Sequence, residues 1–206
     1  MISDDLFFQF SRGLNPAEFF GLDKLPDYPY TDTSDMAGNL LILYALTRGL
    51  QAKHVLEIGV NDGTSSLAFL KALYEIDGHL TSLDPVVCPT ARRLVSEAGY
   101  YHLWTFIQQA SQDWTPPDGS QFDIVLVDGG HTAEESLSDV ERFSPLITKG
   151  GILLFHDCLF DNVAGEPGCM VTAKELLNSD EWMGVNFPFS AQLGIFRRRA
   201  DWQDTK

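Results

Sequence analysis

The sequence is poor in basic residues, and it contains no long apolar run. Lysine and arginine number 14 against 29 aspartates and glutamates, which gives a formal net charge of -15. A surface of this charge repels the phosphates of nucleic acids and the head groups of anionic lipids, so neither is expected as a partner. No stretch has the ~20 consecutive apolar residues of a membrane-spanning helix, so membrane insertion is not expected either.

Cysteine is also scarce. The three cysteines, Cys88, Cys158 and Cys169, are odd in number and lack C-x-x-C spacing, which argues against a disulfide framework and against a structural zinc site. The N-terminus is acidic where a secretory signal would be basic, and its apolar stretch is short. These absences predict a protein of the reducing cytoplasm.

From Lys53 onward, the sequence alternates between strand-like and helix-like segments. The runs IVLV (124–127) and ILLF (152–155) are continuously apolar, as in parallel strands that are covered on both faces. Near the C-terminus, two strand-like segments are separated only by Ala191 and Gln192, a connection too short for a parallel crossover. The sequence therefore predicts an α/β, Rossmann-like, doubly wound sheet of seven strands, mostly parallel with an antiparallel C-terminal strand, and helices on both faces.

A single domain covering residues 1–206 accommodates this pattern. Within it, residues 51–200 form the predicted Rossmann-like core. Residues 1–50 are first rich in aromatics and prolines and then helix-like, with Ser34 or Asp35 as the predicted N-cap of the helix. We expect this N-terminal segment to contribute a helix and a lid over the site.

The turn after the first strand-like segment reads EIGVNDGTS, from Glu57 to Ser65. Ligands of open α/β sheets bind beyond the carboxyl ends of the strands, so this turn is a candidate ligand loop. A dinucleotide fingerprint requires G-x-G-x-x-G, but Asn61 stands in place of the middle glycine. The P-loop signature of nucleotide triphosphatases is absent as well. The carboxylate of Glu57, just before Gly59, favours a cationic ligand over a pyrophosphate.

Asp84 ends the second strand-like segment, in SLDP. A carboxylate at this position of a Rossmann-like fold can accept hydrogen bonds from both hydroxyls of a ribose. Recognition of a ribose without a pyrophosphate loop, beside an acidic group suited to a positive centre, indicates S-adenosylmethionine as the cofactor.

Together these features resemble the class I S-adenosylmethionine-dependent methyltransferases. The pattern E-x-G-x-x-x-G-x-S is similar to the first motif of that family, and closest to the small-molecule O-methyltransferase branch of catechol and caffeoyl-CoA enzymes. ASQD, after the third strand-like segment, resembles the segment that lies against the adenine in that branch. The resemblance implies that the cofactor is bound by Glu57, Gly59, Asn61, Gly63, Ser65, Asp84, Ser111, Gln112 and Asp128.

The motifs VDGGH and FHDC end the fourth and fifth strand-like segments, with Asp128 and Asp157 at neighbouring strand ends. The O-methyltransferase branch carries a metal-binding aspartate and an Asp-Asn pair at these places. The resemblance implies that Asp128 and Asp157 bind Mg²⁺ or a related divalent cation, which would lower the pKa of a substrate hydroxyl.

Cys158 stands where the branch has its asparagine, and a thiol is a poor ligand for Mg²⁺. Either a third ligand comes from elsewhere or the site holds no metal. In the second case Asp128 would hold the amino group of the cofactor, and Asp157 would cap a loop. Candidates for a third ligand are Asp161, Asn162 and Glu134.

His131 follows Asp128 by three residues, where the branch has a catalytic lysine. Because imidazole titrates near neutrality, we expect His131 to act as the general base, with Asp128 as the second catalytic residue. His156 is interpreted as a residue that orients a metal ligand or, in preference to this, either as a metal ligand itself or as a histidine with a structural role at a strand end. The combination of DGGH with a later HD also resembles sugar O-methyltransferases and a cephalosporin-hydroxylase-like group.

The sequence thus predicts an S-adenosylmethionine-dependent methyltransferase that acts on a hydroxyl of a small molecule, with a homodimer left open. One alternative is a non-catalytic S-adenosylmethionine-binding protein or a hydroxylase-like protein of the same fold. The other alternative is an NAD-dependent enzyme, which the missing middle glycine disfavours.

Overall fold

The computed structural model describes residues 19, 20, 36, 39–187 and 192–203, so the predicted N-caps Ser34 and Asp35 lie outside the described residues. Along the described chain the strands are β1 (His54–Ile58), β2 (His79–Asp84), β3 (Trp104–Gln108), β4 (Phe122–Val127), β5 (Ile147–Phe155), β6 (Asn162–Val163), β7 (Glu166–Pro167), β8 (Trp182–Phe187) and β9 (Leu193–Arg198). The helices are α1 (Leu40–Leu50), α2 (Thr64–Tyr74), α3 (Pro89–Glu97), α4 (Ala133–Phe143), α5 (Met170–Asn178) and α6 (Arg199–Gln203).

Seven strands form one sheet in the order β3-β2-β1-β4-β5-β9-β8. The strands β1 to β5 are parallel to one another, whereas β9 runs antiparallel to both β5 and β8. This arrangement confirms the predicted sheet and its antiparallel C-terminal pair. The short connection between β8 and β9 permits only a hairpin, so these two strands pair with each other. The other edge of β9 pairs with β5.

Alternate residues of the central strands point to two hydrophobic cores, one on each face of the sheet. On one face, Val55 and Ile124 pack with residues of α1, α2 and α3. On the other face, Leu56 and Val125 pack with residues of α4 and α5. Because β1 and β4 are buried on both faces, their sequences are continuously apolar except where a polar side chain has a specific partner. None of the described helices has the length and apolarity required to cross a membrane.

Candidate active site

A cavity of about 620 Å³ opens at the carboxyl ends of β1, β2, β4 and β5, where a ligand is expected in this architecture. Most of the predicted site residues contribute to its walls. Those in the lining are Gly59, Asn61, Ser65, Asp84, Ser111, Gln112, Asp128, His131 and Asp157. The two other predicted residues, Glu57 and Gly63, are not part of the lining.

Two glycines shape the loop between β1 and α2. Gly59 has a φ of 90°, and a Cβ atom there would lie 1.9 Å from the backbone oxygen of Asp128. Gly63 is the N-cap of α2 with a φ of 83°, and a Cβ atom there would lie 2.6 Å from the Cβ of Ala91. Both positions therefore combine left-handed backbone with close packing, which only glycine tolerates. Asn61 is also left-handed, a conformation that asparagine accepts more readily than most residues.

Glu57 is completely buried beneath this loop. Its carboxylate accepts hydrogen bonds from the hydroxyls of Ser65 (2.6 Å), Ser66 (2.7 Å) and Ser82 (2.6 Å). Burial raises the pKa of Glu57 to about 7, although the three hydroxyl donors oppose this shift. Glu57 thus joins β1 to β2 and α2, and its position gives no support to the predicted direct contact with a cationic ligand.

The carboxylate of Asp84 both lines the cavity and holds the glycine loop in place. It accepts hydrogen bonds from the backbone N–H groups of Val60 (2.9 Å), Asn61 (3.2 Å) and Val86 (2.8 Å). A carboxylate can accept about four hydrogen bonds, so roughly one position remains for a ligand. This geometry leaves room for one ribose hydroxyl and not for the two that the sequence predicted, because Asp84 also has a structural role.

Ser111 and Gln112 lie in the cavity wall beyond the end of β3. The hydroxyl of Ser111 donates a hydrogen bond to Oδ1 of Asp139 at 2.6 Å. Because that proton is used by Asp139, the oxygen of Ser111 can only accept a hydrogen bond from a ligand. Asp139 is buried on α4, and its other oxygen, Oδ2, has no hydrogen-bond partner among the described residues. The sequence did not predict a role for Asp139 at the site, because Asp139 lies on α4, far along the chain from Ser111.

Asp128 and Asp157 converge on the imidazole of His156, which lies between them. Nδ1 of His156 is 2.9 Å from Oδ1 of Asp128 and 3.3 Å from Oδ1 of Asp157. His156 is buried, which would lower its pKa, but the charges of the two carboxylates outweigh burial and raise the pKa to about 10. Burial acts to raise the pKa of Asp157, yet contacts with His156 and the charge of His131 lower it overall.

The same three side chains could also share one cation. Their potential ligand atoms all lie within 4.8 Å of one another. Among the described residues, these three form the group of histidine, cysteine and acidic side chains that is suited to hold a metal ion. Neither ring nitrogen of His156 makes a hydrogen bond of normal geometry within the described structure, although Nδ1 is close to both carboxylates. Glu134 and Asp161, two of the predicted candidates for a third metal ligand, do not belong to this group. The third potential ligand beside Asp128 and Asp157 is His156.

Cys158 does not belong to this cluster. Its thiol is buried and contacts the carbonyl oxygen of Phe155 at 3.2 Å, and burial raises its pKa to about 12. A neutral, buried thiol has no function as a metal ligand here. The residue that replaces the asparagine of the resembling family is therefore part of the core.

His131 stands at the mouth of the cavity, and slightly more than half of its side chain is exposed. Its Nε2 lies 3.3 Å from Oδ2 of Asp157, and its ring centroid is 5.7 Å from that of Phe160. The next residue, Thr132, is the N-cap of α4 and forms a capping box with Glu135. The rigid start of this helix fixes the backbone of His131 next to the two aspartates.

A sequence model of the family described as "Methyltransferase domain" matches residues 56–158, half of the 206-residue chain. The chain belongs to the methyltransferase domain family. The matched region begins in β1 and ends just after His156 and Asp157, so it contains nearly all of the cavity described above. This result confirms the family resemblance that the motifs predicted, and it favours neither the NAD-dependent nor the non-catalytic alternative. Among curated proteins, none matches the sequence significantly.

Solved structures with this methyltransferase fold cover almost the whole chain. Rv0187 from MTB, in cofactor-bound form, has 17% identity and a TM-score of 0.71 over 95% of each chain. The O-methyltransferase TomG from Streptomyces achromogenes, involved in tomaymycin synthesis and in complex with SAM, has 20% identity and a TM-score of 0.62 over 94% of each chain. An O-methyltransferase from Bacillus cereus in complex with SAH has 14% identity and a TM-score of 0.64 over 87% of this chain and 86% of its own. At such identities the likeness shows the fold.

Proposed function

We propose that this chain transfers a methyl group from S-adenosylmethionine to a hydroxyl of a small molecule, with residues 1–206 working as one catalytic domain. One observation carries the proposal. A single cavity is lined by two groups of residues. The first group consists of the glycine loop after β1 and Asp84 at the end of β2. The second group is the cluster of Asp128, His156 and Asp157, with His131 beside it. A protein that only bound the cofactor would have no use for the second group.

The features of the first group support a bound S-adenosylmethionine. Gly59 lets the loop after β1 pack against the backbone of Asp128 in the cavity wall, and Asp84 retains about one acceptor position for a ribose hydroxyl. Ser111 offers an acceptor suited to the amino group of an adenine. A volume of about 620 Å³ is typical of cavities that bind small molecules. When bound, the cofactor supplies a methyl group that is activated by its sulfonium.

The features of the second group support a divalent cation. Asp128 and Asp157 would hold it, with His156 as the third donor, and the buried imidazole without a normal hydrogen bond fits that role. Two carboxylates and one imidazole suit Mn²⁺, Fe²⁺ or Zn²⁺ at least as well as Mg²⁺. When bound, the cation would lower the pKa of a coordinated hydroxyl.

His131 is the proposed general base. It lines the cavity beside Asp157, and its exposure leaves the imidazole free to exchange protons with solvent after each turnover. The carboxylate of Asp157 orients the ring and stabilises the charge that the imidazole gains when it takes the proton from the acceptor. Asp128 is the second proposed catalytic residue. It lines the cavity, and its contact with His156 positions both side chains beside the reacting groups.

The test is a transfer assay with methyl-labelled S-adenosylmethionine on phenols, vicinal diols and sugars. We expect product with Mn²⁺ or Mg²⁺, loss of product with EDTA, and recovery on addition of excess cation. Calorimetry with S-adenosylhomocysteine provides an independent control for the cofactor site. If that nucleoside does not bind, the proposed function is wrong; if it binds and EDTA has no effect on turnover, the metal is not part of the mechanism.

A further inference from the structure

The cavity is strongly acidic. Five carboxylates contribute to its lining, and no lysine or arginine among the described residues does so. Two of the five, Asp128 and Asp157, belong to the cluster with His156, and a third, Asp84, holds the glycine loop. The remaining two, the half-buried Asp62 and the exposed Glu135, also line the cavity and lie outside that cluster. An incoming molecule therefore meets negative charge from several directions.

Several of the described basic residues have partners away from the cavity. Arg48 pairs with Glu75, and Arg93 pairs with Glu97. The side chain of Arg142 donates a hydrogen bond to the carbonyl oxygen of Trp114. Residues 1–38, which the structure describes only at three positions, contain seven acidic and two basic residues, so their composition adds negative charge to the chain. Among the described residues, no lysine or arginine brings positive charge to the lining of the cavity.

Bound cofactor and cation offset this charge only in part. A sulfonium carries one positive charge and a divalent cation two, whereas the cavity presents five carboxylates. A unit charge about 8 Å away changes a binding equilibrium by roughly thirtyfold at an effective dielectric constant of about 20, and partial exposure reduces this to about three- to tenfold. The residual field therefore opposes an anionic acceptor strongly enough to be measured.

We propose, building on the proposed function, that the methyl acceptor is a neutral or cationic hydroxyl compound, and that carboxylates, phosphates and coenzyme A thioesters are excluded by the charge of the cavity. An amine-bearing polyol or phenol is the best match. The negative field would raise the local concentration of such a molecule and lower that of its acidic analogue. The charge of the acceptor, rather than its ring system, is then the first determinant of specificity.

Two of the five carboxylates can be neutralised without touching the residues proposed for catalysis. Glu135→Gln retains the capping box at the start of α4, since glutamine can take the place of glutamate in that motif. Asp62→Asn removes a second charge from the lining. Glu134→Gln is a matched control, because Glu134 is the neighbour of Glu135 in the same first turn but is exposed and outside the lining.

The experiment measures kcat/KM for sets of three acceptors that differ only in charge. Suitable sets are dopamine, 3,4-dihydroxyphenylacetamide and 3,4-dihydroxyphenylacetate; tyramine, 4-hydroxyphenylacetamide and 4-hydroxyphenylacetate; and glucosamine, glucose and glucuronate. In each set that is methylated, we expect the acid to be at least tenfold poorer than the amine. The double variant Glu135→Gln with Asp62→Asn should reduce this ratio about tenfold, and Glu134→Gln should leave it unchanged.

An acid that is methylated as well as its amine would overturn the proposal, and so would a ratio that the double variant does not change. The proposal also fails if S-adenosylmethionine binds but no neutral or cationic member of any set is methylated. Absence of cofactor binding in calorimetry contradicts the proposed function instead, so the two failures can be told apart. Increasing salt should weaken the preference for the amine, because mobile ions screen the field of the cavity.

Discussion

One carboxylate, Glu57, and a pair of carboxylates, Asp128 and Asp157, stand near the carboxyl ends of neighbouring strands. Their surroundings differ in burial and in hydrogen-bond partners. Glu57, at the end of β1, is completely buried and receives three hydroxyl donors. Asp128 and Asp157, after β4 and β5, remain partly exposed and share one buried imidazole. Glu57 has its hydrogen bonds supplied from within the fold, whereas the two aspartates keep oxygen atoms directed toward the cavity. The sequence position alone does not distinguish these two roles; the partners do.

We call the surroundings of the buried Glu57 the closed region, and those of the partly exposed Asp128 and Asp157 the open region. The first prediction concerns Gly59, which lies where the two regions touch. Gly59→Ala should lower the free energy of unfolding by more than about 4 kcal/mol, because the new Cβ would overlap the backbone oxygen of Asp128 at 1.9 Å. Chemical denaturation provides the measurement. Gly99→Ala is the control, since Gly99 also has positive φ but open space around it, and it should cost only about 1–2 kcal/mol. Equal losses in the two variants would mean that the regions are not tightly packed against each other.

The second prediction concerns His131, in the open region. His131→Ala should lower kcat by about 10²- to 10³-fold, because the general base is lost. Its exposed side chain makes little contribution to the core, so the free energy of unfolding should change by less than about 0.5 kcal/mol. Calorimetry with S-adenosylhomocysteine should give an unchanged affinity. An unchanged turnover would remove His131 from the mechanism, and a large loss of stability would assign it to the closed type.

The third prediction concerns the pH dependence of the closed carboxylate. The folded state raises the pKa of Glu57 from 4.5 to about 7, so it binds this proton more tightly than the unfolded chain does. The resulting stabilisation is complete below pH 4.5 and is lost as the pH rises through 7. Between pH 5 and pH 8, the unfolding free energy of Glu57→Gln should therefore increase by about 2–3 kcal/mol relative to that of the unmodified protein.

Denaturant titrations at several pH values test this prediction for Glu57. The exposed Glu134→Gln variant should show a difference from the unmodified protein that does not depend on pH in the same range. A pH-independent difference for Glu57→Gln would mean that the carboxylate is as well solvated as the open pair. In that case the contrast between the two regions would be lost.

The sheet was predictable because its signals are local. The apolar runs of β4 and β5 follow from burial on both faces, and the two residues between the last strand-like segments allow only a hairpin. The lining of the cavity was predictable for the same reason, since parallel strands bring their carboxyl ends to one edge. Asp84 ends β2, Asp128 directly follows β4, and Asp157 lies two residues beyond the end of β5. All three line the cavity.

The partners of these carboxylates were not predictable, because they come from distant segments. The three serines that enclose Glu57 belong to α2 and β2. Ser65 was predicted to contact the cofactor, and neither Ser66 nor Ser82 carries a sequence signal that points to Glu57. The two interpretations of His156 also remained open at that stage. Asp157 has a φ of 57°, and this left-handed backbone directs its carboxylate back toward His156. Residues 155–160 contain no glycine or proline that would indicate such a turn.

The last and smallest predicted effect belongs to Asp139, which combines features of both regions. It is buried like Glu57, but one of its oxygens has no partner, and the other accepts the hydroxyl proton of Ser111 in the cavity wall. In Asp139→Asn, the hydroxyl of Ser111 can rotate, so affinity for S-adenosylhomocysteine should fall about fivefold, or about 1 kcal/mol. Stability should not fall, because burial of a charge is relieved; burial raises the pKa of Asp139 in the folded protein.

Ser136→Ala, on the same helix but facing Thr172, should leave the affinity unchanged. If Asp139→Asn loses stability and keeps its affinity, Asp139 is a closed carboxylate like Glu57; the opposite result would show that a buried carboxylate can act on the ligand through one hydroxyl.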